Sequence, residues 1–248
     1  MIKRLKDILR YWHIHILRKN CKTTPELALC GTVMILAPHP DDEALGCGGL
    51  IARLCANGNP PHVVIMTGGG GSLRGHSDMP ESEVVKARRK LTLASARELG
   101  LPKENILFLD FMDGCIADRS ETEMARLKEL IVRLQPSAIL VPHRSEGWPD
   151  HTAVREIALS GNHPITPAPN HPTIIEYCVW MWYYNVWNLD WTNACKIEMT
   201  DVEHAAKLRA VDVYVSAKAP NGNPWSGFLP KSFLKASTSR RELYFINH

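Results

Sequence analysis

The chain has 248 residues, 45% hydrophobic and 22% charged, which suits one sizeable domain with at most a modest appendage. A net charge of +3 is too small to argue for a nucleic-acid partner, and no apolar run approaches the length of a membrane-crossing helix. Seven widely spread cysteines without a CxxC pair, and charges that interrupt every apolar stretch near the start, read as thiols in a reducing, cytoplasmic setting with no signal peptide.

Residues 1–20, MIKRLKDILRYWHIHILRKN, place Ile2, Leu5, Ile8, Leu9, Trp12 and Ile16 at helical spacing among Lys3, Arg4, Lys6, Arg10, Arg18 and Lys19. The favoured expectation is a helix whose apolar face packs on its own domain or on a partner chain. The alternative is a basic amphipathic helix lying in a membrane interface, which would put the protein at the inner face of the membrane. Residues 1–30 thus read as this helix and a linker, ahead of a domain spanning 31–248.

From residue 32 apolar stretches alternate with helical patterns. Strands are expected at 32–38, 62–69, 105–110 and 138–142, and helices at about 43–57, 81–99, 120–135 and 151–160. Asn57-Gly58, Leu99-Gly100 and Pro136 supply stops. Continuous apolar strands between helices predict an α/β fold, a Rossmann-like three-layer domain with a mostly parallel sheet. Residues 161–173 read as loop. A strand from Thr173 to Trp182 opens the aromatic stretch 177–191, Asp201 caps a helix over 201–216, and 218–233 is turn-rich.

In such sheets ligands bind at the carboxyl ends of the strands, and the chemically loaded segments all fall there: HPDDE, TGGGGS, DFMDG and PHRSEGWPDH. Within LAPHPDDEALGCGG, His39 and Asp42 can reach one point in space from a strand-to-helix turn, with Asp41 left to act on water. A divalent cation would offset the repulsion among Asp41, Asp42 and Glu43. The plainer alternative is that Asp41 and Asp42 only cap the helix. His151 is the candidate third ligand, His143 a second candidate, and Asp150 a residue that could orient an imidazole. TGGGGSLRG lacks the Gly-Lys-Ser/Thr ending of a phosphate loop and reads instead as a flexible loop beside the site.

APHPDDEALGCGG, the downstream Pro149-Asp150-His151, Asp113-Gly114 and the late KLRAVDVYVSA resemble the PIG-L/LmbE family of zinc-dependent N-acetylglucosamine de-N-acetylases. The resemblance runs from about residue 32 to 217. It implies that His39, Asp42 and His151 hold Zn²⁺ (iron or manganese would also suit these donors) and that Asp41 is the general base for water attacking an acetamide. It implies substrate contacts from Arg88 and Asp113. Two positions depart from the family pattern. Trp148 stands where a histidine is usual, and its indole can donate a hydrogen bond to substrate but carries no transferable proton. Leu91 replaces the glutamate of Arg-x-x-Glu. The acid role then falls to His143, to Asp41 acting twice, or to His204. The expected partner is an N-acetylated sugar, in a cell-envelope glycan or glycolipid such as a lipopolysaccharide precursor. The alternatives are an amidase for another acyl amide and a metal-retaining sugar-binding protein with little turnover.

Overall fold

The computed structural model describes residues 2–23, 31–159, 172–184, 187, 191 and 193–246. The expected linker before residue 31 and the loop at 161–173 fall largely outside the described residues.

The elements in chain order are α1 (Ile2–Asn20), β1 (Lys22–Thr23), β2 (Val33–Ala37), α2 (Asp42–Ala56), β3 (His62–Thr67), α3 (Glu81–Glu98), β4 (Ile106–Phe111), α4 (Glu121–Leu134) and β5 (Ala138–Pro142). There follow α5 (Pro149–Leu159), β6 (Thr173–Tyr177), α6 (Met181–Tyr184), β7 (Ala194–Glu198), α7 (Asp201–Ser216), α8 (Lys231–Ser237) and β8 (Arg241–Ile246). The strands form one sheet in the order β1-β7-β8-β6-β5-β2-β3-β4. All pairings are parallel except the two made by β8, which runs antiparallel between β6 and β7.

Why the strands read as unbroken apolar runs is plain from β2. Val33, Ile35 and Ala37 enter one core with α2 and α7, while Met34 and Leu36 enter a second core with α4 and α5. Both faces are covered, so neither alternates with polar residues. Strand order reverses between β2 and β5: the chain goes from β2 outward to β3 and β4, then returns to β5 on the other side of β2. The crevice above that reversal is where open α/β sheets bind ligands.

The GCGG run makes close helix packing possible. A Cβ at Gly46 would lie 2.4 Å from the Tyr177 ring, and one at Gly49 would lie 2.2 Å from Met199 Sδ. Beneath α2, Lys207 and Glu242 form a fully buried ion pair at 2.6 Å. Glu242 also accepts from the Gly49 and Leu50 amides, and Lys207 donates to Leu45 O. Strand β8 and helix α7 thereby grip the helix that carries Asp42.

Three expectations are corrected here. The strand from Thr173 ends at Tyr177, and the aromatic stretch turns into α6, so Trp182 lies on a short helix. The cap of α7 is Thr200, which accepts from the Glu203 amide while Glu203 returns a bond to the Thr200 amide; Asp201 is already inside the helix. Packing on its own domain is not the role of the apolar stripe of α1. The helix docks through Ile14, Leu17 and Arg18, whose guanidinium donates to Ala236 O and sits 4.2 Å over the Trp182 ring. Leu5, Ile8, Leu9, Trp12 and Ile16 of the stripe face outward.

Candidate active site

The turn after β2 and the segment after β5 meet above the reversal of strand order. Asp42 Oδ2 lies 3.3 Å from His39 Nδ1 and 3.3 Å from His151 Nε2. Two ligand atoms about 2.1 Å from one tetrahedral ion stand about 3.4 Å apart, so the separation of Asp42 from each imidazole already suits a zinc-like site. They lie within 4.8 Å of one another and belong to the ligand types that divalent transition ions prefer. The residues fit a metal.

The outer nitrogens of both imidazoles are held by carboxylates. His39 Nε2 is 3.1 Å from both Asp150 and Asp113. Asp150 is itself fixed by the Gly114 and Ile116 amides, and Asp113 by the Gly71 amide. His151 Nδ1 lies 3.2 Å from Glu146, an ion-pair contact without hydrogen-bond geometry, and the fully buried carboxylate accepts from the Val179, Trp180 and Met181 amides at the start of α6. Carboxylates behind ligating imidazoles fix the ring and raise its basicity.

Charge balance explains the titration of these groups. Burial opposes protonation of His151, but Asp42 and Glu146 overcome it and push the imidazole up to about 9. Burial would raise Asp42, but His151 and His39 hold it far below the usual carboxylate range. Asp113 follows the same logic: burial opposes, the His39 bond prevails, and the carboxyl falls to about 2. A divalent cation can supply the positive charge that the imidazoles supply here.

Asp41 is built differently. Its backbone is left-handed at φ 110°, a costly conformation for a residue with a Cβ, and it makes no side-chain cap to α2. The capping alternative therefore does not describe it. Its amide donates to Glu43 Oε2, and Glu43 Oε1 accepts from Tyr214 Oη at 2.6 Å. Its carboxylate takes a bond from Arg88 at 3.0 Å. Burial pushes Asp41 up to about 7, with Arg88 pulling the other way. Arg88 is buried and also donates to Gly69 O and Pro40 O. Gly69 adopts φ +63°, and a Cβ there would lie 2.2 Å from the Arg88 guanidinium, so the glycine run makes room for this arginine.

His39, Asp42, His151 and Asp41 open into a cavity of about 440 Å³, within the range of small-molecule sites. Gly71, Arg74, Arg88 and Asp113 form one side, and Trp148, Trp180, Phe228 and Leu229 give it an apolar wall.

The profile of the PIG-L family, described as GlcNAc-PI de-N-acetylase, matches residues 34–161, just over half of the chain. The chain belongs to this family. Diacetylchitobiose deacetylase from Thermococcus kodakarensis is 32% identical to it over 127 residues, 48% of this chain and 44% of that protein. This PIG-L chain thus spans less than half the length of that curated relative. Among solved structures, N,N'-diacetylchitobiose deacetylase from Pyrococcus horikoshii in complex with its inhibitor MPG is 23% identical, with a TM-score of 0.59 over 89% of this chain and 81% of that one. GalB, the 4-carboxy-2-hydroxymuconate hydratase from Pseudomonas putida, is 22% identical, with a TM-score of 0.53 over 75% and 83%. At these identities the two likenesses show the fold, and the fold alone does not choose between their chemistries.

The structure of the PIG-L chain brings His39, Asp41, Asp42, Arg88, Asp113, Trp148 and His151 to one cavity. His143 is not among its lining residues. Its Nδ1 accepts from the Ser145 amide, its ring packs 4.4 Å from Phe245, and burial pulls its pKa down to about 4. A catalytic acid needs reach to the reacting atoms, and His143 is placed to shape the loop after β5 instead. His204 Nε2 meets Thr238 O and is not among the lining residues, and Leu91 of α3 packs against the core.

Glu146 is a positioning residue that the sequence reading did not single out, and Glu43, noted there only for its charge beside Asp41 and Asp42, positions the Asp41 amide. Glu146→Gln keeps the shape but weakens the hold on His151 Nδ1. Its expected effect is a 10–100-fold loss of metal affinity, on the order found for such partners, measured by competitive chelator titration. Unchanged affinity would mean that the Glu146 contact does not tune the ligand.

Proposed function

We propose that the chain is a divalent-metal-dependent amide hydrolase that removes acetyl from an N-acetylated sugar, with His39, Asp42 and His151 holding the ion. The observation that carries this reading is the placement of Asp41, a buried carboxyl near neutrality, beside a preformed two-histidine, one-carboxylate ligand set in one cavity. A divalent ion held there supplies Lewis-acid polarisation of a carbonyl and acidifies nearby water. Zinc is the ion we favour from the donor set.

The chain's own residues do the rest. Asp41 takes the proton of the attacking water, and its carboxyl near 7 can return that proton to the departing amine. Arg88 holds the carboxylate in place and lowers its pKa from what burial alone would give. Asp113 and Arg74 face the cavity as partners for sugar hydroxyls, and the rings of Trp148 and Trp180 offer an apolar face to the pyranose. The similarity to diacetylchitobiose deacetylase supports an N-acetylglucosamine unit, and a cytoplasmic setting and a cell-envelope glycan precursor complete the reading.

Acetate release from N-acetylglucosamine as free sugar, disaccharide, nucleotide-linked and lipid-linked forms, with metal-replete protein, tests this. Release from one class names the acceptor. A second reading, a sugar-binding protein without turnover, is favoured by Trp148 on the cavity wall, where its N–H cannot transfer a proton. Saturable sugar binding with full metal occupancy and no acetate would select it, and acetate release from other acyl amides alone would make the chain a different amidase.

A further inference from the structure

Helix α1 has two unlike faces. Asp7, Arg10, Ile14 and Arg18 turn toward the body. On the opposite side Leu5, Ile8, Leu9, Trp12 and Ile16 form a continuous stripe, each between 47% and 57% exposed. Scattered apolar residues on a surface need no explanation, but five in register along one helix do.

The charge around the stripe selects its occupant. Of the six Lys and Arg in the helix, Arg18 is buried against the body and Arg10 engages the single acid, Asp7, at 3.0 Å. Lys6 and Lys19 are exposed, and Lys235 of α8 adds another cation where it sits over the Tyr11 ring. A second copy of the chain laid face to face would bring this positive surface against itself, with no acid of α1 left unpaired to neutralise it. An anionic bilayer surface presents the opposite charge and accepts the apolar stripe at its acyl boundary.

An independent feature continues the same surface. His13 stacks on Trp187 at 4.4 Å, and Trp187 is exposed beside the stripe. Arg10 lies over Tyr183, which meets the half-exposed Tyr184, and Tyr184 contacts Trp180 on the cavity wall. Amphipathic rings of this kind settle at the level of lipid headgroups. Among the described residues no helix is long and apolar enough to cross a membrane, so attachment would be peripheral.

We propose that α1 is a docking surface for an anionic lipid bilayer, lying in its plane with Leu5, Ile8, Leu9, Trp12 and Ile16 buried and the aromatic path leading from the lipid surface to the cavity. The docking does not depend on the hydrolase reading, because its readout is binding.

The test is flotation of the intact protein with vesicles of phosphatidylglycerol and phosphatidylethanolamine, beside vesicles of phosphatidylcholine alone. Sedimentation velocity of lipid-free protein runs in parallel. The expected result is a monomer that floats with the anionic vesicles, less so as salt rises, and about tenfold or more weaker binding for Leu9→Glu and Trp12→Glu. Both positions are exposed, so their melting temperatures should match the parent. No flotation with anionic vesicles, equal flotation with phosphatidylcholine, or a dimer that the same substitutions dissociate would each overturn the proposal.

Discussion

Asp41→Asn is expected to lower acetate release by about 10²–10⁴-fold while the divalent ion stays bound. The substitution keeps size and the Glu43 contact to the backbone amide but removes the proton acceptor. The metal-loaded parent should show an ascending limb in kcat/KM at or below about pH 7, because a divalent cation adds to Arg88 in pulling Asp41 down. Below the pKa of about 7 the carboxyl is protonated and cannot take a proton from water; above it, the base is free. Arg88→Met should move that limb upward, because Arg88 is what pulls Asp41 down against burial. A pH–rate profile with metal content measured alongside checks both. Full activity in Asp41→Asn would remove Asp41 from the chemistry, whereas lost activity with lost metal would make it a structural support of the site.

His151→Ala is expected to abolish metal retention and with it turnover. It removes one of three ligand atoms and also strips Asp42 and Glu146 of the imidazole between them. Breaking a buried charge pair by deleting one partner costs about 3–5 kcal/mol, so the variant should also melt earlier. Elemental analysis after dialysis and a thermal melt measure the two effects. The parent stripped with a chelator should lose activity and regain it when Zn²⁺ is returned. Stoichiometric metal in His151→Ala would place the ion elsewhere, and undiminished activity after chelation would end the metal-dependent reading.

The sheet was legible wherever strands are covered on both faces: β2, β3, β4 and β5 read as apolar runs because each supplies two cores. The strands β7 and β8 were not legible, because each hides a charge. Lys196 of β7 is buried by donating to Lys19 O, and Glu242 of β8 by its pairing with Lys207. A buried charge with a distant partner looks in sequence like a surface residue. The site divides along the same line. His39, Asp41 and Asp42 crowd into one turn, and their density is itself the signal. Glu146 satisfies backbone amides more than thirty positions away, at Val179, Trp180 and Met181, and Glu43 reaches Tyr214 across the domain. Nothing local marks Glu146, and within HPDDE Glu43 shows only as one more charge, not as the partner of Tyr214. The aromatic stretch misled for a related reason: its period suits a strand, but the Glu146 carboxylate on its amides favours a helix start.

Strand β8 leaves the ribosome after every other described element, yet its place is inside the sheet, between β6 and β7. The earlier strands can assemble as they emerge, but β7 has no partner linking it to β6 until residues 241–246 arrive. The same strand brings Glu242 under α2, so the helix that presents Asp42 lacks its buried counter-charge through most of synthesis. In the order of synthesis, α2 gains this support only once residues 241–246 have been added. A chain cut before residue 241 would leave β6 and β7 with open edges in the middle of the sheet.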